Sequence, residues 1–172
     1  MKKIVIVGSA GAGKSTLSRQ LGAILGIKVY HLDQIFWTKG WISISREELI
    51  KYQQQTFKQD SWIIDGNYSS TMDMRFTAAD TIIFLNFPRA RCLYRVVKRR
   101  IQYHKKTRPD MGEGCEERLD LEFLKWVWDY PKTRTPSLLA RLEHLKDEKT
   151  IIVLHSPKEV KRFLEEISCH SL

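Results

Sequence analysis

The chain has 172 residues, a length that suits one folded domain with a substantial core. Hydrophobic residues make up 42% of it, and none of its apolar runs approaches the ~18 residues of a membrane-spanning helix, so we expect no membrane association. The formal net charge of +9 predicts an anionic partner: nucleotide phosphates, nucleic acid or an acidic surface.

The cysteines and the N-terminus predict the compartment. Cys92, Cys115 and Cys169 are odd in number, widely spaced and form no C-x-x-C pair, which argues against a disulfide or metal framework. Two lysines precede the first apolar run, but that run is too short for the core of a signal peptide. We therefore expect a cytoplasmic protein with reduced thiols.

The first predicted strand, residues 4–7, leads into a complete G-x-x-x-x-G-K-[ST] phosphate loop at residues 8–15, and a predicted helix follows and ends at Gly26. Backbone N–H groups of such a loop, with about half a positive charge from the helix N-terminus, favour a phosphate guest. Lys14 would reach the β- and γ-phosphates of a nucleotide, and the Ser15 hydroxyl would bind Mg²⁺. The alternative is a flexible Gly/Ser turn. The predicted nucleotide contacts are Gly8, Gly11, Ala12, Gly13, Lys14, Ser15 and Thr16.

The rest of the chain alternates predicted strands with predicted helices. Further strands are expected at 27–32, 62–68, 81–85 and 150–154. Helices are expected at 45–59, 71–79, after Pro88, at 119–130, after 135 and after 157. This order predicts an α/β fold with three layers, a five-stranded parallel sheet flanked by helices, in one domain over residues 1–172. Two insertions are expected, at about 33–60 and about 103–117.

The helix after Pro88 is strongly basic, because residues 81–109 contain no acid. Its core side carries Leu93, Val96 and Val97. Its opposite face carries Arg91, Arg95, Lys98 and Arg99, within roughly 100° of one another. Residues 103–117 follow without apolar periodicity, which is typical of a mobile excursion.

Within the predicted segment 62–68, which is a strand that ends in an acid and a turn, Asp65 ends the apolar part and is followed by Gly66. Phosphate-loop enzymes keep an acid at this place that holds Mg²⁺, usually through water, and the alternative is an Asx turn. With Lys14 and Ser15, it would supply the positioning and charge neutralisation that phosphoryl transfer requires.

Residues 62–66 resemble the strand-Asp-Gly of adenylate kinases, and the five-strand plan with two insertions resembles the nucleoside monophosphate kinases and shikimate kinases, all P-loop NTPases. More narrowly, the chain resembles the bacterial DNA topology modulation proteins, which are related to adenylate kinases. The segments that carry this likeness are 31–33, 36–37, 65–68, 105–111 and 121–126. The resemblance implies ATP and Mg²⁺ as ligands, an acceptor-side insertion at 33–60 and a lid at 103–117.

By the same resemblance, Asp33 is similar to the acid beside the acceptor hydroxyl in shikimate and gluconate kinases, where it could take a proton or anchor hydroxyls. The alternative for Asp33 is a helix cap. Adenylate kinases have Phe-Pro-Arg where this chain has residues 67–69, so a monophosphate-binding arginine is missing, and Arg75 or Arg89 are the candidate substitutes. Trp37 and Trp41 either stack on an acceptor ring or form a local core.

Arginines complete the predicted site. Arg108 resembles the lid arginine of shikimate kinases that reaches the ATP phosphates, and Arg100 lies where related kinases place an arginine over adenine. Arg134 and Arg141 are weaker candidates for phosphate contacts, and the alternative for all of these is solvated helix charge. His31 and His155 are expected to be structural or loop residues.

Two functions remain open. The first is an ATP-dependent phosphotransferase that moves the γ-phosphate to a small acceptor, a nucleotide or a hydroxyl metabolite, with Lys14, Asp33 and Arg108 as catalytic residues. The second is a nucleotide-switched DNA-binding protein that affects DNA topology, in which residues 89–108 follow a phosphate backbone. The first is favoured because the basic helix leads into the predicted lid, where its charges would converge on ATP.

Overall fold

The computed structural model describes residues 1–103, 110–112, 114–115 and 120–170. The strands are β1 (Lys3–Gly8), β2 (Val29–His31), β3 (Trp37–Thr38), β4 (Ile42–Ser43), β5 (Trp62–Asp65), β6 (Thr81–Leu85) and β7 (Thr150–Leu154). The helices are α1 (Lys14–Leu25), α2 (Leu32–Phe36), α3 (Arg46–Phe57), α4 (Met72–Ala78), α5 (Arg89–Gln102), α6 (Leu121–Thr133), α7 (Thr135–Leu145) and α8 (Pro157–His170).

Five of these strands form a parallel sheet in the order β2-β5-β1-β6-β7. Strands β1, β5 and β6 are apolar and almost completely buried, as expected of parallel strands that are covered on both faces. Alternate residues of β1 face two separate cores: Ile4 and Ile6 pack with α1, α5, α6 and α8, whereas Val5 and Val7 pack with α3, α4 and α7. The predicted α/β fold with a five-stranded parallel sheet is confirmed.

The sheet order decides where a site can form. Strand β1 lies between β5 and β6, so the segments that follow these three strands meet at one edge of the sheet. Open parallel sheets bind ligands at the carboxyl ends of their strands, where connections leave to opposite faces. The 8–15 loop therefore begins in the middle of the edge that is best suited to a ligand.

The first predicted insertion contains α2, the two-stranded β3–β4 hairpin and α3. Helix α3 begins with the capping box that the sequence predicts, because the Ser45 hydroxyl accepts a hydrogen bond from the Glu48 N–H while the Glu48 carboxylate accepts one from the Ser45 N–H. The aromatic segment at 36–41 lies in α2 and the hairpin, an arrangement that its sequence pattern did not predict.

Helix α6 differs from the prediction, which ended it at Pro131. The helix continues through Pro131 to Thr133. A proline inside a helix removes one backbone hydrogen bond, but the buried Val127 and Tyr130 anchor this turn in the core. Within the described residues, no helix is both long enough and apolar enough to cross a bilayer.

Much of the predicted lid, residues 103–117, lies outside the described residues, and so does Arg108. The described part packs against the β3–β4 hairpin. The Cys115 thiol donates to the Thr38 carbonyl over 3.0 Å. A Cβ on Gly112 would lie 1.7 Å from the Trp37 carbonyl oxygen, so only glycine allows this approach. The two insertions therefore contact each other beside the sheet edge.

Candidate active site

A cleft of about 1120 Å³ opens at the carboxyl edge of the sheet, between the phosphate loop, the β3–β4 hairpin, α5 and α7. Its described lining carries seven cationic side chains: Lys14, Arg19, Arg95, Lys98, Arg99, Arg134 and Arg141. Four carboxylates also line it: Asp33, Asp65, Asp110 and Asp120. The excess of cations in a concave site favours a polyanionic ligand.

The phosphate loop is held tightly against its neighbours. Gly11 has a φ of +76°, and a Cβ there would lie 2.3 Å from the Cys92 carbonyl oxygen of α5. Gly8 has a φ of +149°, and its Cβ would lie 2.7 Å from the Leu85 carbonyl oxygen of β6. A side chain at either position would therefore displace the loop from the strand and helix that shape it. Helix α1 begins at Lys14, so its N-terminus points its free N–H groups toward the loop.

Lys14 lies across the loop, and its ammonium donates to the carbonyl oxygens of Gly8, over 2.9 Å, and Ser9, over 3.1 Å. Burial lowers the pKa of Lys14, and Arg99 lowers it further, whereas Asp33 and Asp65 raise it without reversing the shift. A nearby phosphate would oppose this desolvation, because an anion favours the charged form of the amine.

Asn67 fixes the first glycine of the loop, a role that the sequence did not reveal. Its side-chain oxygen accepts from the Gly8 N–H over 3.1 Å, and its side-chain amide donates to the Gly8 carbonyl over 2.6 Å. The register between β1 and β5 ends at Ile6 and Asp65. The Asn67 side chain therefore continues the pairing between the two strands after their backbone ladder has ended.

Asp65 is 3% exposed and lies at the end of β5. One carboxylate oxygen is hydrogen-bonded to His31 Nδ1 at 2.8 Å, and the other accepts from the Ser18 hydroxyl over 3.0 Å. Burial acts to lower the pKa of His31, but the hydrogen bond and charge of Asp65, with the charge of Asp110, raise it overall. The partner of His31 is therefore the acid that was expected to bind the metal, and the structural role expected of His31 stays a prediction.

Ser15 and Asp65 both line the cleft, and their oxygen atoms are of the kind that Mg²⁺ prefers. Because both Asp65 oxygens already take part in hydrogen bonds, the carboxylate suits a contact through water better than direct ligation. Among the described residues, no cluster of three or more histidine, cysteine or acidic side chains could hold a metal. The donor set fits a Mg²⁺ that is shared with nucleotide phosphates, which is how proteins usually bind this ion.

Asp33 lies in the first turn of α2 and faces the same cleft. Its Oδ1 accepts from the Tyr68 hydroxyl over 2.9 Å. Burial and the charge of Asp33 raise the pKa of Tyr68, so the phenol stays protonated and keeps donating. The helix-cap alternative for Asp33 is not what the structure shows, because no side chain caps α2 and Asp33 lies inside it.

Neither arginine that was considered as a substitute phosphate ligand is placed to act as one. Arg75 is completely buried and donates to the carbonyl oxygens of Gly66 and Tyr68, over 2.6 and 2.7 Å. Burial lowers its pKa to about 10. The Arg89 guanidinium lies over the Trp128 ring at 4.1 Å. Arg75 therefore supports the 66–68 turn, and Arg89 stacks on a tryptophan of α6.

The cationic face of α5 turns toward the cleft, but not through Arg100. Arg95, Lys98 and Arg99 line the cleft, and Arg95 donates to the Ala12 carbonyl of the loop over 3.2 Å. Arg100 is not among the lining residues. One residue corresponds to 100° of rotation about a helix axis, so Arg99 faces the cleft while Arg100 is turned away. Arg95 and Arg99 are therefore the arginines of α5 that line the cleft, and the contact expected of Arg100 with a nucleotide stays a prediction.

The structure thus brings most predicted site residues to one cleft. Those that line it are Gly11, Ala12, Gly13, Lys14, Ser15, Thr16, Asp33 and Asp65. Gly8 lies behind them and bonds to Lys14. Arg134 and Arg141 also line it, and Arg141 is paired with Asp73 at 3.1 Å. Arg95 and Arg99, which belong to the predicted cationic face of α5, line the cleft as well, whereas the role of Asn67 had no signal in the sequence.

The sheet order, the phosphate loop after the central strand and the cleft at the strand ends define a class of fold. The chain has the fold of the P-loop kinases, to which its structural neighbours belong.

One such neighbour is shikimate kinase from Acinetobacter baumannii in complex with shikimate, which is 18% identical with a TM-score of 0.61. The similarity covers 97% of this chain and 90% of that one. Another is deoxyadenosine kinase from M. mycoides with the products dCMP and dCDP bound, at 15% identity, a TM-score of 0.51 and 97% coverage of both chains. No family model and no curated protein matches the chain. The resemblance to DNA topology modulation proteins is therefore not confirmed.

Proposed function

We propose that the chain is an ATP-dependent kinase that transfers the γ-phosphoryl group to a small acceptor. The observation that carries the proposal is that Lys14 of the phosphate loop and Asp33 of the first insertion line one cleft and interact electrostatically. One cleft thus carries a cation suited to the phosphates and a carboxylate suited to an acceptor hydroxyl.

The residues divide the work of phosphoryl transfer. Backbone N–H groups of the loop and Lys14 would bind the β- and γ-phosphates, and Arg95 and Arg99 would add positive charge from α5. Asp33 would accept the proton of the acceptor hydroxyl, held in place by Tyr68. Ser15, and Asp65 through water, would hold a Mg²⁺, which neutralises phosphate charge when bound. Arg108 remains a predicted lid contact on ATP.

The alternative, a DNA-binding protein with a nucleotide switch, gains no specific support. It requires the cations of α5 to be available to an extended phosphate backbone. Three of them line the cleft instead, and Arg89 contacts Trp128. DNA binding would also weaken with salt, because the logarithm of its binding constant falls against the logarithm of the salt concentration with a slope near −0.9 per neutralised phosphate. ATP binding should fall far less steeply.

The proposal is tested with Lys14→Ala, measured by titration calorimetry with ATP and by acceptor-dependent ADP release. Loss of a charge-assisted contact worth roughly 1.5–3 kcal/mol should raise the Kd for ATP about 10- to 150-fold. The control is Lys58→Ala, which removes an exposed lysine that does not line the cleft. Equal ATP affinity in both folded variants would refute the assignment of the phosphate loop.

A further inference from the structure

A row of aromatic rings begins at the Asp33 carboxylate. The Tyr68 hydroxyl donates to Asp33 over 2.9 Å, and the Tyr68 ring lies 4.5 Å from the Phe36 ring. Phe36 contacts Trp37 with ring centroids 4.9 Å apart, and Trp37 contacts Trp41 at 5.4 Å. Asp33, Tyr68, Trp37 and Trp41 all line the cleft. A carboxylate and an aromatic wall are therefore built into one continuous surface.

We propose that the phosphoryl acceptor is an alcohol that carries a flat heterocyclic ring, as a nucleoside does, with its hydroxyl at Asp33 and its ring against Trp37 and Trp41. This inference rests on the proposed kinase function and specifies the acceptor. Every base presents a π-face, and stacking on aromatic side chains is a sequence-tolerant way to bind one.

The aromatic wall, formed by Tyr68, Phe36, Trp37 and Trp41, is held in place by the described part of the second insertion, so it is present before an acceptor arrives. Gly112 packs against the Trp37 carbonyl, and Cys115 bonds to the Thr38 carbonyl. The Phe36–Trp37 and Trp37–Trp41 pairs meet edge to face, at interplanar angles of 86° and 63°, so these rings support one another through direct contacts. A preformed surface of this kind costs little ordering when it binds a rigid ring.

The charges near the wall favour a neutral acceptor over a phosphorylated one. Arg75, on the adjacent helix α4, is completely buried and bonded to backbone carbonyls. Arg141, which lines the cleft on α7, is paired with Asp73 at 3.1 Å. Arg75 therefore cannot reach an acceptor phosphate, and Arg141 would have to exchange its exposed pairing with Asp73 to bind one. The aromatic rings beside Asp33 suit a hydroxyl and a flat ring.

The transfer step balances with ATP as the second substrate. The acceptor hydroxyl oxygen forms a bond to the γ-phosphorus, and the bond from that phosphorus to the oxygen bridging to the β-phosphate breaks. ADP leaves with the bonding electron pair, and the hydroxyl proton passes to the Asp33 carboxylate. The phenol of Tyr68 stays protonated and keeps the carboxylate oriented throughout.

The test compares four sets of acceptors at saturating ATP and Mg²⁺: nucleosides, ribose and deoxyribose, nucleoside monophosphates, and small hydroxy acids. Acceptor-dependent ADP release is measured for each. The kcat/KM for nucleosides should exceed that for ribose and deoxyribose, which lack the heterocyclic base, about 5- to 150-fold, the range that corresponds to ~1–3 kcal/mol of stacking. Equal or greater activity with the sugars, the monophosphates or the hydroxy acids would overturn the proposal, as would no activity with nucleosides in protein that binds ATP.

Variants separate this proposal from the kinase function. Trp41→Ala should raise the KM for nucleosides by about 5- to 150-fold, the range expected for the loss of stacking, and should leave the Kd for ATP unchanged. Trp128→Ala, which removes a tryptophan that does not line the cleft, should change neither. Quenching of tryptophan fluorescence by nucleosides without ATP should disappear in Trp41→Ala or fall sharply. Absent ATP binding would refute the kinase function itself, whereas intact ATP binding with KM values indifferent to Trp41→Ala would refute only the ring site.

Discussion

Asn67 offers the sharpest test of how the phosphate loop is held. The variant Asn67→Ala removes both hydrogen bonds from its side chain to Gly8. The Gly8 carbonyl keeps a donor, because Lys14 Nζ lies 2.9 Å away. The Gly8 N–H loses its acceptor in a partly buried position. An orphaned backbone group of this kind costs about 1–3 kcal/mol.

The expected loss of 1–3 kcal/mol, roughly, should lower Tm by about 2–12 °C for a chain of this size. ATP binding should weaken as well, since the loop must be ordered before it can bind phosphate. If the loop is ordered only when ATP binds, the free-energy cost of ordering it is subtracted from the binding free energy, and each ~1.4 kcal/mol of that cost raises the Kd for ATP tenfold. Urea unfolding measures the first effect, and calorimetric titration with ATP measures the second.

The matched control is Asn86→Ala, because Asn86 is also half-buried and follows β6, the other neighbour of β1, but does not line the cleft. If Asn67→Ala and Asn86→Ala have the same unfolding free energy and the same Kd for ATP, the bonds to Gly8 do not hold the loop.

Three further results are expected. Arg75→Met leaves the Gly66 and Tyr68 carbonyls without their donor and should lower the unfolding free energy by ~3 kcal/mol. The control variant Arg89→Met should change the unfolding free energy little. If Arg75→Met is as stable as the original protein but binds substrate poorly, Arg75 is a ligand residue instead. Asp33→Asn should slow acceptor-dependent transfer by a factor of about 10²–10⁴ while sparing slow ATP hydrolysis. Asp65→Asn should alter the Mg²⁺ dependence of both transfer and hydrolysis. If both variants lose transfer and hydrolysis equally, Asp33 does not serve the acceptor separately from the metal. Because the folded pKa of His31 is raised, its protonated form stabilises the fold below the ordinary value of 6.5, and that contribution is lost as pH rises through the folded pKa. In urea unfolding, His31→Gln should therefore lower the unfolding free energy more at about pH 5.5 than at about pH 8.5. If the lowering grows with pH instead, the protonated form of His31 does not stabilise the fold.

Local patterns in the sequence predicted the parts of the fold that depend on neighbours along the chain. The β-branched runs of β1 and β6, the capping box of α3 and the phosphate loop itself are of this kind. Pro131 shows the limit of such signals, because the packing of Val127 and Tyr130 outweighs one lost backbone hydrogen bond.

Contacts between distant segments could not be predicted in the same way. Asn67 and Gly8 are 59 residues apart, and they meet only because β5 pairs with β1. Whether Arg75 binds a ligand or supports a turn depends on which backbone carbonyls lie within hydrogen-bond distance of its guanidinium. The sequence does not indicate which carbonyls these are. By contrast, Arg99 is on the cationic face of α5 that the helical period predicted, and it lines the cleft, whereas the role of Arg100 came from a resemblance and stays a prediction.

The 66–68 turn explains how one short segment can serve both halves of the cleft. Arg75 fixes the carbonyls of Gly66 and Tyr68, and between them the Asn67 side chain holds the phosphate loop. Tyr68 holds Asp33 on the acceptor side. Adenylate kinases have an arginine in this segment, whereas this chain has neutral side chains that position other groups. Because one buried guanidinium supports both contacts, a change at Arg75 should disturb ATP and acceptor binding together, whereas changes at Asn67 and Tyr68 should each disturb mainly one.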